Sequence, residues 1–304
     1  MSRAVPRGRW FVRSSSDPYR ALAYNLDPQQ TMELTLGYSP CPNDTFIFHA
    51  LVHGLISAGE LRFSERLEDV ETLNQLAREG ALDVTKVSYG AIPYLLEEYV
   101  LLRSGGALGR GCGPLLVMRA DRREAPIERI AIPGRQTTAN LLLRLWAPEL
   151  APGTEYLYSE IMPAVVRGEV DAGLIIHESR FTYADHGLVK RVDLGEWWEK
   201  ETGLPIPLGG ILARRSLGAE VIATLEDALR RSVEHAFAHP EDSAEYVRLH
   251  AQEMDPAVMW QHIELYVNSF SAALGEEGEG AVRELLRRAA AAGLAPAAAD
   301  WVAA

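Results

Sequence analysis

One pattern, repeated once, limits the fold of this chain more than any other feature. ETLNQLAREGALDVTKVSY surrounds Gly80, and SEIMPAVVRGEVDAGLIIHES surrounds Gly168. Each copy opens with helix-like apolar spacing, then has Gly, one residue, an aliphatic residue, Asp and a short apolar run. Each run stops abruptly at polar groups: Lys86, Ser88 and Tyr89 in the first copy, His177, Glu178 and Ser179 in the second. Helix–Gly–strand units of this kind build open α/β sheets, whose ligands bind beyond the carboxyl ends of the strands. Two such units predict two lobes that present polar strand ends to a shared cleft. A small-molecule site is the expectation.

The order of the remaining elements extends this reading. From Met32 onward strand and helix signals alternate, which favours an α/β fold. MELTLGYS reads as a strand, and PCPNDTFIFHALVHGLI turns and enters a helix. Pro40 and Pro42 break regular structure there, and Asn43 or Asp44 is placed to cap the helix. LRFSERLE is a second strand, and YVLLRSGGALGRGCGPLLVMR reads as two strands joined by a Gly-rich loop from Gly105 to Gly113. The polar break DRREAP at 121–126 predicts a crossing into the second lobe, where RIAIPG is a strand and QTTANLLLRLW a helix. GLPIPLGGILARR predicts the return, and the C-terminal segments after it show helical apolar spacing, with an Ala-rich tail after Arg287 expected to fray. Lobe one is then discontinuous, residues 32–120 plus 208–304, and lobe two is 121–207. This is the α/β, two-lobe, periplasmic-binding-protein-like (type II) architecture, with a central ligand cleft and C-terminal helices.

Composition excludes several function classes. A formal charge of −12 argues against nucleic acid as a partner, because phosphate binding needs a basic face. No apolar run approaches the roughly 20 residues of a membrane span. Residues 1–31 are basic and polar without the apolar stretch of an export signal, so they are expected to be a disordered or non-native extension, and the protein cytoplasmic. Cys41 and Cys112 make neither a disulfide framework nor a zinc pattern, so no metal is expected.

Several residues are candidates for the chemistry, each with a plain alternative. Ser39, Asn43 and Asp44 sit between the first strand and first helix, where exposed N–H groups favour a carboxylate or phosphate; a rigid turn with a helix cap explains them equally well. Arg135-Gln136-Thr137-Thr138-Ala139-Asn140 holds the matching place in lobe two and forms a second anion cradle from hydroxyls and helix-start N–H groups. A lone His is more often a satisfied structural residue, but His177 ends an aliphatic run at a strand's carboxyl end, the place for a general base that titrates near neutrality. Cys41 is a candidate nucleophile at a helix start, but its own motif offers no base and a packed thiol is the plainer reading. His49 and His53 have metal-ligand spacing on a helix but no third ligand, and read as an exposed face. Trp197 and Trp198 either wall the cleft or simply pack.

SPCPNDTF, LEDVETLN, TKVSY, RSGGALGRGCGPL, GRQTTA, GLIIHESRFTY, VDLGEWWE and TGLPIPLGGILARR together closely resemble the 1,4-dihydroxy-6-naphthoate synthase family of the futalosine route to menaquinone. The resemblance runs from about Met32 to the last helices. It implies a periplasmic-binding-protein-like fold used as a cytoplasmic lyase. The implied substrate is cyclic dehypoxanthine futalosine, a small-molecule carboxylate, and the implied products are 1,4-dihydroxy-6-naphthoate and dihydroxyacetone. The reaction so implied needs no other cofactor. The family's base, the His of HESR, carries over to His177. Its substrate contacts carry over to Lys86, Val87 and Ser88 in the TKVS strand end and to Thr137 and Thr138 in the second loop. A chorismate dehydratase of the same pathway and a non-catalytic solute-binding protein are the alternatives.

Overall fold

The structure, a computed structural model, describes residues 31–150, 152–251, 255–299 and 301–302. The expectation for residues 1–31 falls, but for Thr31, outside them. The chain opens with β1 (Met32–Tyr38), α1 (Pro42–Val52), β2 (Leu61–Leu67), α2 (Val70–Arg78) and β3 (Val84–Ser88). Three short strands come next: β4 (Tyr99–Leu101), β5 (Ala107–Gly109) and β6 (Leu115–Arg119). Then come β7 (Ile130–Ile132), α3 (Thr138–Trp146), β8 (Thr154–Glu155), α4 (Tyr158–Val166) and β9 (Ala172–Ile175). After α5 (Ser179–Thr182), β10 (Leu188–Asp193) and α6 (Leu194–Thr202), the long strand β11 (Ile206–Arg214) leads to the closing helices. These are α7 (Ala219–Ala238), α8 (Ala244–His250), α9 (Pro256–Tyr266), α10 (Ser269–Ala272) and α11 (Gly275–Ala291).

The repeat is deeper than its motif. The first sheet has the order β2-β1-β3-β11-β4, with β5 also on β11, and the second the order β10-β6-β9-β7-β8. In each, a β-α-β-α-β unit lays down three parallel strands, and an antiparallel strand (β11 or β6) flanks the third. Gly80 and Gly168 follow the ends of α2 and α4 at φ 62° and 72°, the left-handed geometry that lets a helix stop without a Cβ penalty. The hydrogen bonds there match: Ala81 N–H to Leu76 O at 2.9 Å and Glu169 N–H to Ala164 O at 3.0 Å. The repeated Asp is structural in both. Asp83 accepts from Thr35 N–H at 2.9 Å, and Asp171 from Arg129 N–H at 2.9 Å, each fastening the start of its strand to its neighbour.

The structure corrects the sequence reading in several places. β6, placed in lobe one by a boundary at residue 120, is hydrogen-bonded into the second sheet, so the chain crosses at 110–114 rather than at 121–126. The crossing is tight: a Cβ on Gly113 would lie 2.2 Å from the backbone nitrogen of Gly195. The Gly-rich loop also contains a strand of its own, β5, because β11 offers it backbone partners. Cys41, not Asn43 or Asp44, is the N-cap of α1, and Pro42 is the first helical residue, where its missing N–H costs nothing. His49 is buried rather than on an exposed face, because α1 is packed all round by the sheet and the later helices. Trp198 is fully buried and donates to Pro205 O at 3.0 Å, which makes it a packing residue. The tail does not simply fray: Trp301 is buried, its carbonyl accepts from Leu101 N–H at 2.8 Å, and Val302 bridges to Leu101.

One apolar cluster joins Val87 and Leu212 of the first sheet to Leu116 and Leu174 of the second, so the two units share a core as well as a cleft. Each fully buried Leu or Val of this kind contributes about 1.5–3 kcal/mol. Among the described residues no helix is long and apolar enough to cross a membrane.

Candidate active site

Where the two repeat units meet lies a cleft with about 640 Å³ of open space, its mouth included. Ser39, Asn43, Asp44, Lys86, Ser88, Thr137, Thr138 and His177 all line it. Val87 does not. Successive side chains on a strand point to opposite faces, so with Lys86 and Ser88 on the cleft side Val87 falls in the core, fully buried.

The first unit contributes a buried polar network. Asp44 Oδ1 takes Lys86 Nζ at 2.6 Å and Asn43 Nδ2 at 2.7 Å, while Asp44 Oδ2 accepts from Ser39 Oγ at 2.7 Å. Lys86 and Asp44 are both buried, and their ion pair compensates each charge within the protein. Ser88 is fastened by Asn74, whose Oδ1 accepts from its N–H at 2.9 Å.

The second unit supplies the start of α3. Thr137 caps that helix by accepting from Asn140 N–H at 3.2 Å, and its hydroxyl donates to Gly134 O at 2.8 Å. Thr138 Oγ1 donates to Leu208 O at 2.6 Å and accepts from Gly90 N–H at 3.1 Å. The two hydroxyls therefore hold the units together and shape the helix start. The N–H groups of Thr138 and Ala139 have no acceptor among the described residues, as first-turn N–H groups do not. Gly90 is required here, because a Cβ on it would meet Gln136 O at 2.9 Å. Glu71, from α2, reaches the same turn and accepts from Gln136 N–H at 3.3 Å.

His177 is where the chain concentrates strain. It is the one non-glycine residue with positive φ (57°) among the described residues, and such outliers gather at functional sites. Its Nδ1 lies 3.4 Å from Cys41 Sγ, and its ring is 5.0 Å from that of Tyr158. The ring stays partly open to the cleft but is otherwise enclosed by protein; burial pushes its pKa down to about 4, outweighing the pull of Asp44. Burial, with Glu178 adding to it, pushes the Cys41 thiol well up. The pair is therefore a neutral imidazole on a neutral thiol, not an activated thiolate.

Sequence spacing does not reveal this pair, because its members come from different repeat units. It also hides a donor set: Cys41, His177 and Glu178 each offer one atom within 4.8 Å of the others, a group with zinc-type ligands. His262 and Tyr266 of α9 line the cleft as well. Their i, i+4 spacing was the only available signal, and it is the same spacing that marks any buried helix face.

A family model described as menaquinone biosynthesis matches residues 34–291. A 1,4-dihydroxy-6-naphthoate synthase of Thermus thermophilus is 56% identical over 262 residues, covering 86% of this chain and 96% of its own. Another from Streptomyces coelicolor is 54% identical over 269 residues, with 87% and 95% covered. Among solved structures, a Candida albicans protein described as having the generic periplasmic binding protein fold superposes with a TM-score of 0.63 at 14% identity, covering 88% of this chain and 92% of that one. That likeness shows the fold alone, and it is the two-lobe fold expected from the element order. With a match over most of its length and relatives above half identity, the chain belongs to the menaquinone biosynthesis family.

Proposed function

We propose that this chain is a cytoplasmic carbon–carbon lyase that converts cyclic dehypoxanthine futalosine to 1,4-dihydroxy-6-naphthoate and dihydroxyacetone, with His177 as general base. The observation that carries the role of His177 is its position: a strained imidazole just beyond a strand end, lining the cleft. The identity of the product is supported by the names of the two relatives, and the substrate is the one the family resemblance implies.

The residues suit the reaction. Breaking the C–C bonds that hold the sugar remnant requires loss of a proton from a substrate hydroxyl or an acidified carbon. His177 takes that proton, the electron pair of the broken bond enters the ring system, and the proton is available to return to the site that receives the pair. Aromatisation of the naphthalene drives the step. Nε2 is the basic nitrogen in the tautomer whose Nδ1–H donates to Cys41 Sγ, 3.4 Å away. The free N–H groups of Thr138 and Ala139 receive the substrate carboxylate, and Ser88 adds a hydroxyl. Lys86 and Asp44 shape this wall rather than bind the carboxylate, since each neutralises the other. Closing of the two lobes over the substrate excludes water from the intermediate.

The test is incubation of purified wild type and His177→Ala with cyclic dehypoxanthine futalosine, with products followed by mass spectrometry. Naphthoate from wild type alone supports both reaction and base. An active His177→Ala enzyme would remove the base assignment, and a wild type that binds without turnover would point to a solute-binding protein.

A further inference from the structure

One buried polar atom on the cleft wall has no part in this chemistry. His262, on α9, is 1% exposed and lines the cleft. Its ring centre is 6.1 Å from that of His177, with the planes only 12° apart.

A chain of hydrogen bonds decides which of its nitrogens carries the proton. Asn43 Nδ2 donates to Asp44 Oδ1, the oxygen that also meets Lys86 Nζ. A carboxylate only accepts, so the Asn43 amide is held with its nitrogen toward Asp44 and its Oδ1 turned away. That Oδ1 lies 2.8 Å from His262 Nε2. An amide oxygen also only accepts, so Nε2 bears the hydrogen. Burial, with His177 and Lys86 adding to it, pushes the His262 pKa well below its ordinary value, which leaves the ring neutral. Nδ1 is then a bare lone pair, and it has no hydrogen-bond partner among the described residues. Glu178 Oε2 is 3.9 Å away, beyond hydrogen-bond reach. Buried acceptors left unmatched are costly and rare, and a ligand donor would remove that cost.

We infer that His262 is a second substrate-touching residue of this site, its Nδ1 accepting a hydrogen bond from a hydroxyl of a diol-bearing ligand. The inference rests on the reading that His177 works on the sugar remnant. Two nearly parallel imidazoles then hold neighbouring hydroxyls: His177 takes a proton from one, and His262 orients the other without taking its proton. The buried Lys86–Asp44–Asn43 relay acquires a purpose, which is to present this acceptor in one tautomer.

Two variants separate this role from a merely structural one. His262→Gln can keep the donor to Asn43, since its amide nitrogen reaches the place of Nε2, but loses the acceptor at Nδ1. His262→Asn keeps an acceptor near Nδ1 but loses the donor to Asn43. The kcat and KM for cyclic dehypoxanthine futalosine are measured for both, with melting temperatures. Expected is a fall in kcat/KM of about 100-fold for the Gln variant and only about 10-fold for the Asn variant, although the Asn variant melts lower. The reverse order, or a Gln variant within about threefold of wild type, overturns the inference. A wild type that turns over no substrate overturns the functional reading and this inference with it. With an active wild type, the outcomes bear on His262 alone.

Discussion

The two repeat units share one backbone plan and end in opposite chemistry. β3 and β9 each lie between a parallel and an antiparallel neighbour, and each follows a helix closed by a left-handed glycine. β3 delivers Lys86 into a buried network with Asp44, Asn43 and Ser39. β9 delivers His177 at positive φ against the Cys41 thiol. One strand end is spent on internal charge compensation and the other is left reactive. A repeated scaffold can thus hold an ion-paired wall on one side of a cleft and a strained imidazole on the other.

The first way to break this comparison is at the reactive end. His177→Ala should lower kcat for naphthoate formation by about 10²–10⁴-fold while the melting temperature stays close to wild type. A loss below tenfold would mean the strained end is not where the proton moves. At the compensated end the effect should appear in stability instead. Asp44→Asn leaves Lys86 buried without its counter-ion, at a cost of about 3–5 kcal/mol in urea unfolding, and a further Lys86→Met should restore much of it. An Asp44→Asn protein as stable as wild type would show that the network is not a closed pair.

The pH dependence sharpens the same contrast. With His177 as the proposed base, its neutral form is the active one, and its pKa, pushed down to about 4, places the acid limb of kcat/KM there: activity should be flat near neutrality and fall about tenfold per unit below the limb. The stability term has the same sign. The folded pKa is below the unfolded value of about 6.5, so the contribution of His177 is present above about pH 6.5 and is lost as pH falls toward about 4. A limb centred near 6.5 in the kcat/KM profile, with the fold intact by circular dichroism, would contradict an enclosed imidazole. The smallest effect is expected at the junction of the units. Gly90→Ala pushes a Cβ toward Gln136 O and should raise KM by about tenfold or less with kcat nearly kept. An unchanged KM would show that the units tolerate separation at this turn.

Much of this was legible in local sequence. The repeat, the glycine after each helix, the strand ends and the two helix-start loops follow from apolar periodicity and breaker residues, which act over a few neighbours. His177 stood out because an aliphatic run stopped at it. Val87 was placed at the site by resemblance, and strand alternation puts it in the core. The crossing between lobes was displaced because backbone pairing of β6 with β9, not polarity of the DRREAP segment, decides which sheet a strand joins.

By itself, then, the sequence determined the repeated α/β plan, the two-lobe arrangement and the identity of most polar cleft residues. Tertiary structure alone decided that Cys41 meets His177, that Asp44 neutralises Lys86, and that Asn43 fixes the His262 tautomer. The reason is range. Periodicity and breakers are set by neighbours along the chain, whereas protonation and hydrogen-bond roles depend on groups that packing brings together from distant segments.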